Sequence, residues 1–408
     1  MENSEAVAFE LNEASVNQAG ETDPSPVQVR SLKELLDRIT GRGVMTQPLA
    51  EDSGLAEILP FPFLALVGQH EMKLALLLSL INPMVGGVLL IGPRGTGKTT
   101  AVRSLADLLP EALRSLCYYG CLPEDIESSG IDAVCPDCAR KFAEGEQLVK
   151  MDRVRIVELP LNSALEDVIG GVDERAASHN RFRLNKGLLA QADRNLLYVD
   201  EVNLLQDDVV DALLDAAAQG KYTVRRSPMA GTYHSRFVLI GSMNPEEGSL
   251  RPQIMDRFGL RVIVRGLEAT EERLEAYRRV QAYLSHPHQT VEQFASETRI
   301  AQAEIQAARE LLPEVKLPEE VAQNGLRLIN NLQIDSLRAE ITLFEAARAC
   351  AAADHRLAVT QDDLRLVAPM ALRQRRSKFI KDFFKLQDAE EKELTAVLEG
   401  IFQGSNAG

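Results

Sequence analysis

Val88-Leu-Leu-Ile-Gly-Pro-Arg-Gly-Thr-Gly-Lys-Thr99 decides how the rest of the chain is read. Its first four residues are apolar and follow the Gly86-Gly87 turn, as a strand buried on both faces would. Gly92 to Thr99 then fits G-x4-G-K-[ST], and a helical pattern runs from 99 to 109. Strand, glycine-rich loop and helix in this order are the context in which the motif holds phosphate. Gly95 and Gly97 allow backbone N–H groups to turn inward at a helix N-terminus, where the dipole favours anions. Lys98 would reach the β- and γ-phosphates, and the Thr99 hydroxyl would ligate Mg²⁺. Gly92, Pro93, Arg94 and Thr96 complete the loop expected to hold ATP. The competing reading, a chance Gly-rich turn, does not account for the flanking strand and helix.

Working outward, a second apolar run, Leu196-Leu-Tyr-Val199, ends in Asp200-Glu201, roughly 100 residues beyond the phosphate loop. Asp200 would sit by the Mg²⁺ and its waters, and Glu201 would act as general base on the attacking water. Alternatively, the pair caps a turn starting at Val202. A third run, 236–240, leads to Gly241-Ser-Met-Asn244-Pro. The Asn244 amide at a strand tip could orient water, or Asn244-Pro245 could simply start a turn. Arg251 and Arg257 follow within Leu250-Arg-Pro-Gln-Ile-Met-Asp-Arg-Phe-Gly259. Such arginines are usually solvated or ion-paired, but one of them could reach a neighbouring subunit's γ-phosphate as a finger.

Two further runs of the buried-strand type, 155–159 and 261–264, bring the set to five. Strands alternating with helical segments predict an α/β class with a parallel five-stranded sheet covered on both faces. Beyond 267 the pattern is almost wholly helical, at 271–282, 299–312, 319–332 and 338–353. The expected division is a disordered acidic tail, a short helix at 29–40 and a linker over 1–62, then an ATPase core at 63–267. A helical domain at 268–390 and a tail at 391–408 complete it.

Composition excludes several classes. The chain carries 45 basic and 60 acidic residues, a net −15, so it lacks the basic face of a non-specific nucleic-acid binder. Trp is absent and aromatics make up 5%, which leaves no stacking platform for bases or sugars. No apolar run is long enough for a membrane span. Residues 1–29 hold no Lys or Arg and no secretory pattern. Five cysteines make no disulfide framework for this length, so a reducing cytoplasm is expected.

The phosphate loop, the acidic pair, the strand-end Asn and the Asp256-Arg257-Phe258 arginine, in this order, resemble an AAA+ ATPase. More narrowly, the chain resembles the ATPase I subunit family of magnesium chelatases. The likeness runs from about 63 to 372 and includes Val67-Gly-Gln-His-Glu-Met-Lys73, Gly187-Leu-Leu-Ala190 and Tyr198-Val-Asp-Glu-Val-Asn-Leu-Leu205. Asn244-Pro-Glu-Glu-Gly248 and Leu250-Arg-Pro-Gln-Ile-Met-Asp-Arg-Phe-Gly-Leu260 are its most specific stretches. The resemblance implies an AAA+ core with a repositioned helical lid, assembled as a homo-oligomeric, hexameric ring. It implies that ATP hydrolysis drives Mg²⁺ insertion into protoporphyrin IX, for chlorophyll or bacteriochlorophyll, making the subunit part of a nitrogen–metal ligase. The porphyrin would sit on an H subunit, and a D subunit with a metal-adhesion domain would dock on the ring. The setting would be bacterial cytoplasm or plastid stroma. Residue by residue, Lys98 and Thr99 match Walker A, Asp200 and Glu201 Walker B, and Asn244 sensor 1. Arg257 matches the arginine finger. Arg338 matches sensor 2, contacting the nucleotide from the lid of its own subunit. The rival reading is a MoxR-type remodelling chaperone using the same ATP site on a metal-adhesion partner.

Cys117, Cys121, Cys135 and Cys138 crowd one window near 115–150, as C-x3-C-x13-C-x2-C. The readings are a closed structural Zn²⁺ site, free thiols in a surface loop, or a redox pair at 135 and 138. The x3 spacing is unusual for zinc and favours free thiols. Cys350, in an Ala-rich helix, reads as a small buried residue. Arg373, Arg375, Arg376, Lys378, Lys381 and Lys385 form a basic run with Phe379, Phe383 and Phe384. It reads as the solvated face of a terminal helix, or as a docking helix.

Overall fold

The computed structural model describes residues 59–109, 111–171, 185–226 and 229–376, with a few more between 386 and 394. The expected acidic tail, the helix at 29–40, most of the linker, the Lys378 to Lys385 part of the basic run and nearly all of the tail at 391–408 lie outside the described residues.

Helix α1 (His70–Ile81) leads to β1 (Val88–Ile91), the phosphate loop and α2 (Lys98–Arg103). An outlying segment follows: β2 (Glu111–Ser115), α3 (Pro123–Ser129), α4 (Pro136–Ala143) and β3 (Val149–Arg153). The chain returns through β4 (Ile156–Leu159), α5 (Leu165–Ile169) and α6 (Leu188–Gln191) to β5 (Leu196–Val199). Helix α7 (Asp207–Gln219), the hairpin β6 (Lys221–Arg226) and β7 (Met229–His234), and β8 (Val238–Met243) come next. Short α8 (Pro252–Arg257) and β9 (Leu260–Ile263) close the core. The helical region comprises α9 (Thr270–Ser285), α10 (Pro287–Leu311), α11 (Glu319–Asn331), α12 (Leu337–Ala353) and α13 (Gln361–Leu372).

The main sheet has the order β4-β5-β8-β1-β9 and is parallel throughout. Helical crossovers between its strands require that sense. Side chains alternate along β1, so Val88 and Leu90 join one apolar cluster and Leu89 and Ile91 the other. The first cluster includes Leu76 of α1, Leu343 of α12 and Val367 of α13; the second includes Leu213 of α7 and Phe258. Burial on both faces explains why the strands read as unbroken apolar runs.

Several elements depart from expectation. The helix after the phosphate loop is α-helical only to Arg103 and tightens to a 3₁₀ turn at Ser104–Leu108. Leu109 is extended, as a residue before Pro110 tends to be. Helix α10 starts twelve residues earlier than the expected 299, at Pro287, since proline at the first helical position costs no hydrogen bond. Helix α13 begins with a reciprocal cap in which Thr360 Oγ1 accepts from Asp363 N and Asp363 Oδ2 accepts from Thr360 N. The two hairpins, β2–β3 and β6–β7, were not foreseen.

In the described part of the basic run, Arg373 and Arg375 turn toward the core, and of its arginines only Arg376 is exposed. Arg373 pairs with Glu71, and Arg375 Nη1 donates to Asp256 Oδ1 at 2.9 Å. Arg375 Nη2 donates to Gly259 O at 2.9 Å, and Arg376 Nε bonds to the Leu332 carbonyl. Arg261, 1% exposed, donates to the Arg373 carbonyl at 3.0 Å and lies 3.6 Å from Asp256 Oδ1. Burial and the neighbouring Arg375 lower the Arg261 guanidinium to about 10. These arginines tie the end of the helical region to the core. Because the Arg375 side chain is fully buried while its partner Asp256 is partly exposed, Arg375→Ala is expected to cost about 1.5–3 kcal/mol through its lost charge-assisted hydrogen bonds. Denaturant unfolding followed by circular dichroism checks this; a loss below about 1 kcal/mol would mark the network as a surface-grade contact.

Candidate active site

Strand β8 lies between β1 and β5, so the C-terminal tips of the three strands meet on one edge of the sheet. Ligands of open parallel sheets bind at that edge. Here the tips carry the phosphate loop, Asp200-Glu201 and Asn244. They line a cleft of about 210 Å³ together with Arg94 to Thr100 and Ser242.

Two glycines set the loop. A Cβ on Gly92 would fall 2.1 Å from the Val264 carbonyl oxygen, so the loop can leave β1 against β9 only as glycine. Gly97 caps α2 at φ +81°, in the left-handed region that a side chain disfavours. Lys98 Nζ donates to the Gly92 and Pro93 carbonyls, each at 2.8 Å, which holds it inside the loop. Burial lowers its ammonium from the usual lysine value, while Asp200, Glu201 and Glu247 pull the other way.

Asp200 is the hub. Thr99 Oγ1 donates to Asp200 Oδ2 at 3.1 Å. The Tyr198 hydroxyl lies 2.9 Å from Asp200 Oδ1 and 3.2 Å from Thr99 Oγ1. Ser242 Oγ donates to Asp200 Oδ1 and accepts from Glu201 N at 3.1 Å. Burial opposes ionisation of Asp200, but the bonds from Ser242, Tyr198 and Thr99 outweigh it and hold the carboxyl below the usual range. Burial raises the Tyr198 phenol, which therefore stays protonated and able to donate. Thr99 and Asp200 thus bring two oxygens together, a donor set of the hard kind that suits Mg²⁺.

Glu201 follows at φ 49°, a left-handed backbone for a non-glycine residue, which singles it out as a constrained site. Its carboxylate lies 3.3 Å from Arg94 Nη2, and Arg94 also pairs with Glu247. Asn244, 3% exposed, uses its Oδ1 to accept from Glu246 N at 3.3 Å, so it does start a turn. Among the described residues its amide nitrogen makes no hydrogen bond. Sequence reasoning assigned no role to Tyr198, Ser242 or Glu247.

A second cavity, of about 480 Å³, shares Gly95, Thr96, Gly97 and Thr100 with the phosphate cleft. Its other walls are largely apolar: Phe61, Val67, Met72, Leu267, Ala276 and Val280. A polar phosphate cleft opening into an apolar chamber matches the two halves of a nucleotide. This chamber was also missed by the sequence reading.

The arginines lie elsewhere. Arg257 and Arg338 line a separate cleft of about 310 Å³ with Met84, Gly86, Gly87 and Asp256. Gly86 and Gly87 precede β1, so this cleft is at the sheet's N-terminal edge. The four residues of β1 separate it from the phosphate loop by roughly 13 Å. Arg257 pairs with Asp215, and Arg251 with Asp207 at 2.8 Å. Arg338 therefore lies on the opposite edge of the sheet from the phosphate loop of its own chain. Helix α12 packs beside the turn before β1, where Asn82 Nδ2 donates to Glu345 Oε2 at 2.7 Å and Thr342 Oγ1 to Val85 O at 3.4 Å.

The Sγ atoms of Cys117, Cys121, Cys135 and Cys138 all lie within 4.8 Å of one another. Cys350 is buried, as expected. Among the described residues, no helix is long and apolar enough to cross a membrane.

Comparison with known proteins agrees with this geometry. A family model for the AAA domain matches residues 86–247, and one for the AAA lid domain matches 327–396. The magnesium-chelatase 38 kDa subunit of Acidiphilium rubrum is 43% identical over 318 residues, 77% of this chain and 90% of that protein. Magnesium-chelatase subunit ChlI of a Nostoc species is 40% identical over 333 residues, 81% of this chain and 88% of that protein. A crystal structure of an ATPase from Cytophaga hutchinsonii shares the fold at 20% identity and a TM-score of 0.50, over 77% of this chain and 84% of that one. These relatives do not favour the MoxR-type reading. The chain belongs to the magnesium-chelatase I-subunit family of AAA+ ATPases, with an AAA core and a helical lid.

Proposed function

We propose that the chain is the ATP-hydrolysing motor of a magnesium chelatase, driving Mg²⁺ insertion into protoporphyrin IX on the way to chlorophyll or bacteriochlorophyll. It would act as a hexameric ring with a D subunit docked on it and an H subunit carrying the porphyrin. It would do so in bacterial cytoplasm, or in the plastid stroma of a eukaryote.

The observation that supports this reading best is the polarity of the sheet. Phosphate-binding and carboxylate groups occupy its C-terminal edge, while Arg257 and Arg338 occupy the N-terminal edge. Arg257 and Arg338 therefore lie on the face of each subunit away from its own phosphate loop. A closed head-to-tail ring joins the one edge to the other. Lys98 and the loop N–H groups hold the phosphates, and Thr99 and Asp200 would hold Mg²⁺, which would supply compensating positive charge there. Glu201 takes the proton of the attacking water, and the free Asn244 amide nitrogen orients that water. Arg257 and Arg338 of the neighbouring subunit complete the charge around the γ-phosphate.

The test is reconstitution of the purified chain with the D and H subunits of the same source, ATP, Mg²⁺ and protoporphyrin IX. Fluorescence of magnesium protoporphyrin should grow only with all three subunits and ATP. Sustained ATP hydrolysis with no metalloporphyrin in the presence of competent D and H subunits would overturn the reading.

A further inference from the structure

We propose that Cys117, Cys121, Cys135 and Cys138 bind one Zn²⁺ in a closed tetrathiolate site that holds the 111–153 segment together. None of the four lines the phosphate cleft, so the inference stands apart from the ATPase reading.

The topology sets up the site. Strands β2 and β3 pair antiparallel, with Ser115 opposite Val149 closing the open end. Beyond that end the chain runs out through Cys117 and Cys121, along α3, and back to Cys135 and Cys138. Cys135 caps α4, and Cys138 sits in its first turn. Two pairs of thiols, distant in sequence, meet at the mouth of the hairpin.

The distances suit an ion better than a disulfide. Cys117 Sγ lies 3.7 Å from Cys121 Sγ and 3.6 Å from Cys135 Sγ. A tetrahedral zinc with Zn–S bonds of about 2.3 Å holds its sulfurs about 3.8 Å apart. A disulfide needs about 2.05 Å and pairs one sulfur with one other, whereas Cys117 stands equally near two. An iron–sulfur cluster interposes sulfides and several metal atoms, and the 4.8 Å span of the four sulfurs leaves room for a single ion. An all-sulfur donor set selects zinc over the oxygen-seeking Mg²⁺ and Ca²⁺.

The surroundings are those of thiolate ligands. Tyr119 N donates to Cys117 Sγ at 3.3 Å, and Cys135 N donates to Cys121 Sγ at 3.4 Å. Such N–H···S bonds orient ligands and stabilise their charge. Ion pairs from Arg236 to Asp125 and from Arg194 to Glu124 tie the segment to the core, but its own apolar centre is small. Its apolar cluster is Cys121, Cys138 and Leu148, with Cys117, Ile126, Val134, Cys135 and Val149 partly buried around them. Leu116, Ile131, Phe142 and Met151 point outward instead. A cluster this small, half of it the thiols themselves, gives weak internal order, and metal ligation supplies a cross-link. The same cross-link would fix the Tyr118 to Gly120 turn, which docks on β7 through Tyr119 O accepting from His234 N at 3.1 Å.

The experiment is metal analysis of the full-length wild-type chain, purified without chelators. We expect about one Zn per chain, released when the thiols are blocked by a mercurial and detected with a chromogenic chelator. Co²⁺ replacing it should give the visible bands of a tetrahedral tetrathiolate. Cys135→Ser with Cys138→Ser should reduce zinc at least tenfold, whereas Cys350→Ala should keep it. A wild-type protein free of metal, with the four thiols reacting as readily as in denaturant, overturns the proposal; so does a protein that carries iron in place of zinc. Because the wild-type measurement decides, misfolding of the serine variant does not protect the idea.

Discussion

Glu201→Gln should bind ATP with Mg²⁺ about as well as the parent and hydrolyse it more slowly by a factor on the order of 10²–10⁴, the usual worth of a positioned base. The substitution keeps the shape of the side chain and its ability to accept from Arg94 Nη2, 3.3 Å away. It removes only the capacity to take a proton. The backbone that aims the side chain is also untouched: Glu201 N stays bonded to Ser242 Oγ, and φ stays left-handed. Asp200→Asn should fail differently. Asp200 accepts from Thr99 and Ser242 and lies within reach of the Tyr198 hydroxyl, and an amide cannot serve all of them. It should therefore weaken Mg²⁺-dependent binding rather than turnover of what is bound. Steady-state hydrolysis and the affinity for a fluorescent ATP analogue, with and without Mg²⁺, separate the two. If Glu201→Gln turned over at a near-normal rate, or if the two variants exchanged phenotypes, the division of roles would be wrong.

What could be read from the sequence was what is local. The phosphate loop declares itself because strand, glycines, lysine and helix are contiguous, and the acidic pair because it ends an apolar run. Tyr198 and Ser242 were passed over because their role depends on alignment between strands. Val199 of β5 pairs with Gly241 of β8, so the next residues, Asp200 and Ser242, come side by side. No pattern within either strand reports that register. The burial of Arg375, in the described part of the basic run, was missed for the same reason: Asp256, its partner, lies 119 residues earlier in the chain. For the cysteines, the spacing favoured free thiols, but the pairing of β2 with β3 brings both ends of the window to one point. Periodicity located the helix carrying Arg338 to within a residue. It said nothing of which edge of the sheet that helix would pack against, and so did not place Arg338 beside Arg257.

Arg257→Ala should bind ATP yet lose a factor on the order of 10³–10⁵ in turnover, as when an arginine finger is withdrawn from a γ-phosphate. Lys98→Ala should be inactive because its loop lacks the cation on the phosphates. Mixed together with subunit exchange, the two should recover activity, since some interfaces then join an intact loop to an intact Arg257. Arg338 lines the same cleft as Arg257, and the same logic extends to it. If both arginines are given to the neighbour, Arg338→Ala mixed with Lys98→Ala should also recover activity. Arg257→Ala mixed with Arg338→Ala should not, because every interface then lacks one of the two. If Arg338 instead served the nucleotide of its own subunit, these last two outcomes would be reversed. A subunit with Arg257→Ala would keep its own Arg338 and receive Arg257 from the other variant, completing a site. Exchange must be demonstrated with labelled chains before any mixture is read. Recovery in the double-arginine mixture, with none in the Lys98→Ala and Arg338→Ala mixture, would leave Arg257 as the only group donated across the interface.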